Sequence, residues 1–574
     1  MVDYNMEITV IVNPSSKKVV RVDFNSIRLK PITDDECNEY QQVFGKIVAS
    51  NTDNYSYLLS DLLNREDGTT HFLDKMLKFL DCLRLLEASK VNLTIYNIDR
   101  SVLISIRNYC TARNINIRYS IIRLALNTIL NLTLFCARVL RTFFFNTLLV
   151  CYAKFRLNNK IDKSISKVFI SYFDYRSITA GKFTDPFFSP LQKHLQETNS
   201  PFAVVNIVMF GSLWKGLNYI NGIKKTGNPN ITTLFNLIPL FGILTTFLKS
   251  FRLKPKLKQE VFFLGYNISD LIRENLRHEF LSRWLQHTLE RMYVIKLLEY
   301  KHIETIYYPF ENFAWEKFLC LEKHRMGSDI ELIGFQHTSF SLKLQHHFPS
   351  DYEKSQHIFP SKILTTGQIP NNVLNRYGSF PPNVLQTGCA LRHKYIFDIL
   401  SNYKCSDKIN RKIAFAFSFD VSRYNYIIDK IISIFGGKDI EVILKYHPLN
   451  KGFQFNKGGM PENITNKTDL SWGEIMEQID LLLYEGNSVC IDALAYNIPA
   501  LYFPFTGDIY NTNQLYDYEW DLDTGCNEGN YYVEVEKVLK KNLKSESAFF
   551  EYNKKYVKEY FHPITEDSLQ KFLN

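Results

Sequence analysis

Between residues 411 and 505 the chain repeats one pattern: a short apolar run that ends in polar residues, then a segment of helical period. The runs are RKIAFAFSF, EVILKYHP, DLLLYEG and PALYFPF, and YNYIIDKIISIF, SWGEIMEQ and SVCIDALAY lie between them. Strands that show no polar alternation are covered on both faces, and strands that alternate with helices run parallel. The pattern predicts a doubly wound α/β domain. Sheets of this kind bind ligands beyond the carboxyl ends of their strands. Polar residues at those ends are therefore the first candidates for function.

The same rhythm fills residues 165–367. SKVFISYF, FAVVNIVMF, HIETIYYPFEN, IELIGFQH and KILTTG read as strands, with helices such as SPLQKHLQE and AWEKFLCLEKHRM between them and a basic linker at 249–258. A chain of 574 residues exceeds one compact core. We therefore expect an α/β protein of two Rossmann-like doubly wound domains. The first spans 1–385 and the second 386–550, while the helical segment 551–574 is expected to pack back on the first domain. Near the amino terminus EITVIV and KVVRVDF suggest a strand pair. VNLTIYNID and the sequence after it read as strand, helix, strand, a further parallel unit.

Residues 120–163 break the rhythm. IIRLALNTILNLTLFCARVLRTFFFNTLLVCYAKFRLNNK is apolar but interrupted by Arg123, Arg138, Arg141, Lys154 and Arg156. Its longest uncharged stretch, Leu124 to Ala137, falls short of the roughly 20 residues of a spanning helix. An apolar helical insertion lying in the membrane interface through about 121–157 is expected, basic residues toward anionic head groups. A buried helix pair is the competing reading. The net charge of +9 is spread along the chain, without the basic block of a nucleic-acid binder. The 10 cysteines form no CxxC pair, and MVDYNMEITVIV does not read as a secretory signal. The expected location is cytoplasmic, peripheral on the inner face of the cytoplasmic membrane.

Four places carry candidate chemistry. In EVILKYHPLN, Lys445 and His447 close a strand and Pro448 stops it, offering a cation and an imidazole donor to a phosphate; taken alone, the motif reads more simply as a surface lysine and a capping histidine. In DLLLYEGNSVCIDALAY the strand ends at Tyr484-Glu485, Gly486 permits a turn, and Asn487-Ser488 opens a helix whose free N–H groups favour an anion. Asn487 or Ser488 would equally serve as a simple N-cap. Asp492, one turn on, shares the face of Ser488. In the first half, Glu311 follows one strand end and Gln336-His337 the next; a carboxylate favoured by the helix dipole and a structural histidine are the equal competing readings. A fourth group is Ser418 after the first strand of the second domain, with Asp420 and Arg423 beside it, and Arg392 in QTGCALRHKY.

Taken together, the K-x-HP strand end and the following small-Ser helix start resemble GT-B transferases of bacterial surface-polysaccharide assembly. These include capsule Kdo transferases, sialyltransferases with an HP motif and CDP-glycerol glycerophosphotransferases. The E-x-x-x-WE helix followed by a G-F-QH strand end is similar to surface carbohydrate biosynthesis proteins. The likeness covers roughly residues 90–110 and 165–570. One departure is Asn487, where the family often has a second Ser. The resemblance implies that His447 and Ser488 contact a donor phosphate with help from Lys445. It also implies that Glu311 and His337 face the cleft from the acceptor side, Glu311 as general base and His337 toward the donor sugar. Gly388 and Arg392 correspond to an interdomain Gly-x-x-Arg segment of the family, with one more residue between them here.

The implied activity is transfer of a sugar from a nucleotide-activated donor to a surface glycan or lipid-linked acceptor, with a CMP-linked acidic sugar favoured. No cofactor and no metal are expected, since GT-B sites stabilise the leaving phosphate with cations and helix dipoles. Two alternatives stand beside this one: an alditol-phosphate transferase using a CDP donor, and a non-catalytic glycan-binding scaffold.

Overall fold

The computed structural model describes residues 6–573 apart from 17, 28–31, 51–55, 66–70, 158–160, 174–176, 180–181, 209–211, 251–256, 281–283, 403–408, 456–458, 508–511 and 520–526. Parts of the expected insertion, of the basic linker and of the segment 165–197 lie outside the described residues, as do Cys405 and Cys526. The chain forms two compact units. The first comprises residues 1–336, 344–363 and 377–386, and the second 337–343, 364–376 and 387–574. The boundary is thus not a single cut at 385, because two earlier segments join the second unit.

The second unit holds five strands in the sheet order Ile464–Asn466, Glu441–Lys445, Lys412–Ala416, Leu481–Tyr484, Ala500–Tyr502. All neighbours are parallel. Numbered along the chain the order is 3-2-1-4-5, the doubly wound arrangement, with its switch point between Lys412–Ala416 and Leu481–Tyr484. Successive side chains of these strands enter different cores. Ala414, Ala416, Ile443, Leu482 and Tyr484 pack in one apolar cluster. Ile413, Phe415, Val442, Leu444, Leu481 and Leu483 pack in the other. Burial on both faces is why these strands carry no polar alternation, each buried Ile or Leu contributing roughly 1.5–3 kcal/mol.

The carboxyl-terminal segment, expected to pack on the first domain, belongs to the second unit. Helix Ser547–Tyr560 places Tyr556, Val557 and Tyr560 in the second unit's own core. The backbone of His562 bonds Thr366 and Ala390, and Gly367 lies so close to the carbonyls of Glu559 and Tyr560 that a side chain would collide with them.

The first unit contains a seven-stranded sheet whose order along the chain is 7-6-5-4-1-2-3. Its strands Lys167–Phe173, Phe202–Val208, Ile231–Thr233, Thr305–Pro309 and Glu331–Phe335 are mutually parallel. Here the switch point falls between Lys167–Phe173 and Thr305–Pro309. Both units are therefore Rossmann-like α/β folds.

The amino-terminal region differs from expectation. Met6–Ile11 and Val19–Asp23 do not pair with each other; both flank Asn92–Ile98, the first antiparallel and the second parallel. Asn116–Tyr119 runs antiparallel to Met6–Ile11, so this small sheet is mixed rather than a further parallel unit.

The apolar insertion is one continuous helix, Ile121–Leu157. Its last turns are anchored: Leu149, Val150, Ala153 and Leu157 are buried, Tyr293 donates to Asn146, and Tyr152 donates to Asn221. Toward its start, Ile122, Leu126, Ile129, Leu132, Leu140 and Phe144 stand exposed. The neighbouring helix Leu240–Ser250 exposes Leu240, Phe241, Leu244 and Leu248 at helical spacing, and Phe143 meets Phe247 across the pair. The helix is long and apolar enough to cross a membrane by length and composition, while Arg138 and Arg141 interrupt it.

Candidate functional site

In the second unit Ala416 is in register with Lys445 on one side and Tyr484 on the other. The residues just beyond them consequently converge at one edge of the sheet. Glu485, almost fully buried, accepts the Ser418 N–H at 2.9 Å, and its second oxygen lies 3.8 Å from the Arg423 guanidinium. Arg423 is held in turn by Asp420 at 3.0 Å. Asn487 donates to the Ala416 carbonyl at 3.0 Å. Its own side-chain oxygen is buried with no hydrogen-bond partner among the described residues.

His447 joins the same edge. Its Nδ1 accepts the Leu449 N–H at 3.3 Å, capping the short turn Pro448–Asn450. A ring that accepts at Nδ1 carries its proton on Nε2, which makes that nitrogen a donor. Tyr424 is the hub of the arrangement. Its hydroxyl donates to the Ser418 carbonyl at 2.5 Å and receives the His447 N–H and the Asn450 side chain, each at 3.2 Å. Tyr424 and Asn450 were not singled out from sequence, since an aromatic at helical spacing reads as core. Arg423 carried a weak signal beside Ser418.

Gly486 turns the chain out of its strand with φ +64°, a left-handed conformation open mainly to glycine. A side-chain carbon there would sit 2.6 Å from Thr512 Cβ. Ser488 then starts the helix Val489–Ala495 without a capping hydrogen bond from its side chain, so the plain N-cap explanation of this residue does not hold. Asp492, on that helix, accepts from the Tyr395 hydroxyl at 2.8 Å. Burial pushes its carboxyl up to about 7, against the Tyr395 hydrogen bond and the charge of Arg392. Arg392 and Asp492 thus share one cluster.

Lys445 takes a role different from the expected phosphate cation. Strand alternation turns it onto the face of Ile443, beside Trp472 and Leu470, where its ammonium donates to the carbonyls of Thr468, at 3.1 Å, and Leu470. Burial and the nearby Lys451 hold its pKa below the usual lysine range. The lysine fastens the 468–472 loop. His337 belongs to the second unit and is buried there. Burial, with Arg392 and then His337 beside it, pushes His393 down to about 3.

In the first unit, Glu311 lies just past the end of Thr305–Pro309, at that sheet's switch point. The backbone N–H groups of Glu311, Asn312 and Phe313 all donate to the buried Glu316 carboxylate at 2.8–3.3 Å. Burial, reinforced by the charge of Glu311, raises the Glu316 carboxyl well above the usual range. Glu316 fixes the loop, and the loop presents Glu311. Glu311 lies 3.5 Å from His347 Nε2. The adjacent His346 stacks on Phe313, and its backbone carbonyl accepts from Asn312 at 2.5 Å. Burial and His347 hold the His346 imidazole well below the usual histidine range. Gln336 is buried at the end of the next strand. The histidine doublet was not read from sequence, because only the folded loop brings residues 346–347 to Glu311.

No protein-family model matches this chain, and no curated protein matches it in sequence. Solved structures align with it at low similarity. A UDP-GlcNAc 2-epimerase of Methanocaldococcus jannaschii, solved with UDP-GlcNAc and UDP, covers 68% of this chain and 98% of its own length, at 14% identity and a TM-score of 0.38. The spinosyn forosaminyltransferase covers 71% and 98%, at 8% identity and a TM-score of 0.38. A calicheamicin glycosyltransferase covers 69% and 94%, at 8% identity and a TM-score of 0.36. Likeness of this depth decides nothing about activity, and the fold assignment rests on the strand orders given above.

Proposed function

We propose that this chain is a glycosyltransferase whose nucleotide-activated donor binds at the switch point of the second unit. The observation that carries the reading is the set of groups gathered there. The His447 imidazole, the Arg423 guanidinium and the chain of the Gly486-Asn487-Ser488 turn surround one edge of a 3-2-1-4-5 sheet. Departure of a nucleotide from a sugar leaves negative charge on phosphate. Donors already fixed in place stabilise that charge without reorganising. Glu485 acts as a positioning residue, holding the Ser418 backbone and facing Arg423. The buried Asn487 oxygen, without a hydrogen-bond partner among the described residues, supports binding of a hydroxyl-bearing ligand, such as a ribose.

The acceptor is assigned to the first unit, where Glu311 stands at the corresponding switch point and the acceptor hydroxyl loses its proton. The exposed apolar stripe of Ile121–Leu157 and Leu240–Ser250 supports docking on the membrane interface and a lipid-linked or surface glycan acceptor. The His-Pro strand end favours a CMP-linked acidic sugar as donor.

The test incubates the full chain with CMP-sugar, UDP-sugar and CDP-glycerol in the presence of membranes, and follows nucleotide release. Release from a sugar nucleotide, reduced at least tenfold in His447→Ala, is the expected result. Release from CDP-glycerol alone would replace the sugar by an alditol phosphate, and no release from any donor would overturn the enzymatic reading.

A further inference from the structure

We infer that Glu311, His346 and His347 form a binding site for a divalent metal ion of the zinc class. One ligand atom from each of the three comes within 4.8 Å of the others. The donor set, two imidazoles and a carboxylate, is the mixed nitrogen and oxygen chemistry of borderline first-row ions rather than of calcium or magnesium.

Several features distinguish the cluster from an ordinary buried histidine pair. Both rings are almost fully buried, and neither nitrogen of His346 has a hydrogen-bond partner among the described residues. An imidazole buried in that way has exchanged water for ring stacking alone, and a ligand would supply the missing bond. The contact between His347 Nε2 and Glu311 Oε2, at 3.5 Å, is long for a hydrogen bond. It is close to the spacing of about 3.4 Å between two donors that each lie about 2.1 Å from one tetrahedral ion.

The surroundings hold the donors in place. Phe313 stacks on His346 with ring planes 19° apart, and Asn312 bonds the His346 carbonyl. Glu316 gathers the backbone that carries Glu311. Gln41 of the amino-terminal region donates to Gln345, and the buried Arg65 pairs with Glu353 at 2.7 Å, securing the loop that contains the two histidines. Supporting shells of this kind orient ligands before an ion arrives. Glu311 is the only partly exposed member of the three, which gives an ion its access.

Three protein ligands leave a fourth position open. Under the acceptor reading above, a hydroxyl bound there would have its pKa lowered by the ion, with Glu311 as ligand in place of free base. Metal binding itself does not depend on that reading, and its test uses no donor or acceptor. The full-length protein, stripped with chelator, is dialysed against Zn²⁺ and separately against Co²⁺. Binding of one equivalent is expected, with the visible absorption of Co²⁺ on nitrogen and oxygen ligands. His346→Ala and His347→Ala should each weaken binding at least tenfold, as should Glu311→Gln, which keeps the side-chain shape and guards against misfolding of the histidine variants. Absence of stoichiometric binding to the unaltered protein, or binding unchanged in Glu311→Gln and both histidine variants, would overturn the site.

Discussion

The two units wind their strands in the same order around the switch point, yet they gather opposite chemistry there. The second unit brings together an imidazole donor, a guanidinium and a glycine turn, which suits an anion. The first brings a carboxylate to two desolvated imidazoles, which suits a cation. The units also differ outside the site. The first leaves a long apolar stripe uncovered, while the second closes both faces of its sheet with its own helices, the terminal ones included. Under the proposed function one winding serves two tasks, and residues just past the strand ends set the chemistry of each.

If the tasks are separate, variants should divide cleanly. The largest effect is expected from replacing Leu126, Ile129 and Leu132 together by Ser. At roughly 1.5 kcal/mol or more for each apolar side chain removed from the interface, binding to anionic vesicles should fall by more than a hundredfold. Nucleotide binding should be unchanged, and vesicle flotation set beside calorimetry checks both. A triple variant that floats like the unaltered protein would end the membrane assignment.

Gly486→Val is the counterpart in the second unit. Strain at φ +64° and collision with Thr512 should cost roughly 1–3 kcal/mol of stability and abolish nucleotide binding while sparing vesicle binding. Thermal melts and calorimetry read the two effects. His447→Ala should act more gently, weakening nucleotide binding about tenfold through loss of one hydrogen bond to a charged group, with little change in melting temperature.

The smallest effect concerns pH. The Asp492 carboxyl rises from its ordinary 3.8 to about 7 in the folded protein. The folded state then holds a proton that the unfolded state releases, so stability falls as pH rises from about 4 to 7 and levels off above that. Asp492→Asn should remove this slope, and the variant should gain on the unaltered protein as pH rises toward neutrality. Melting curves across that range would show parallel profiles if the aspartate is not responsible.

Much of this arrangement was legible in the sequence. The second unit's strands could be read because burial on both faces removes polar alternation, and their polar ends marked Ser418, His447 and Gly486. What escaped depends on contacts distant along the chain. Lys445 looked like a phosphate cation until the 468–472 loop supplied carbonyls for its ammonium. The terminal helices carry an apolar face that sequence assigns to a core, but not to which core. One helix and one strand separate His346 and His347 from Glu311, and no spacing rule connects them. The amino-terminal strands have the right period, while partner and direction are set by tertiary pairing.

The central claim is that a donor nucleotide binds at the second unit's switch point. Hydrogen–deuterium exchange on the full chain, with and without saturating CMP, CDP or UDP, tests it most directly. The account predicts that at least one of the three slows exchange at residues 417–424, 447–450 and 485–489 and leaves the strand ends of the first unit unchanged. Protection confined to the first unit, or none with any of the three, would contradict it.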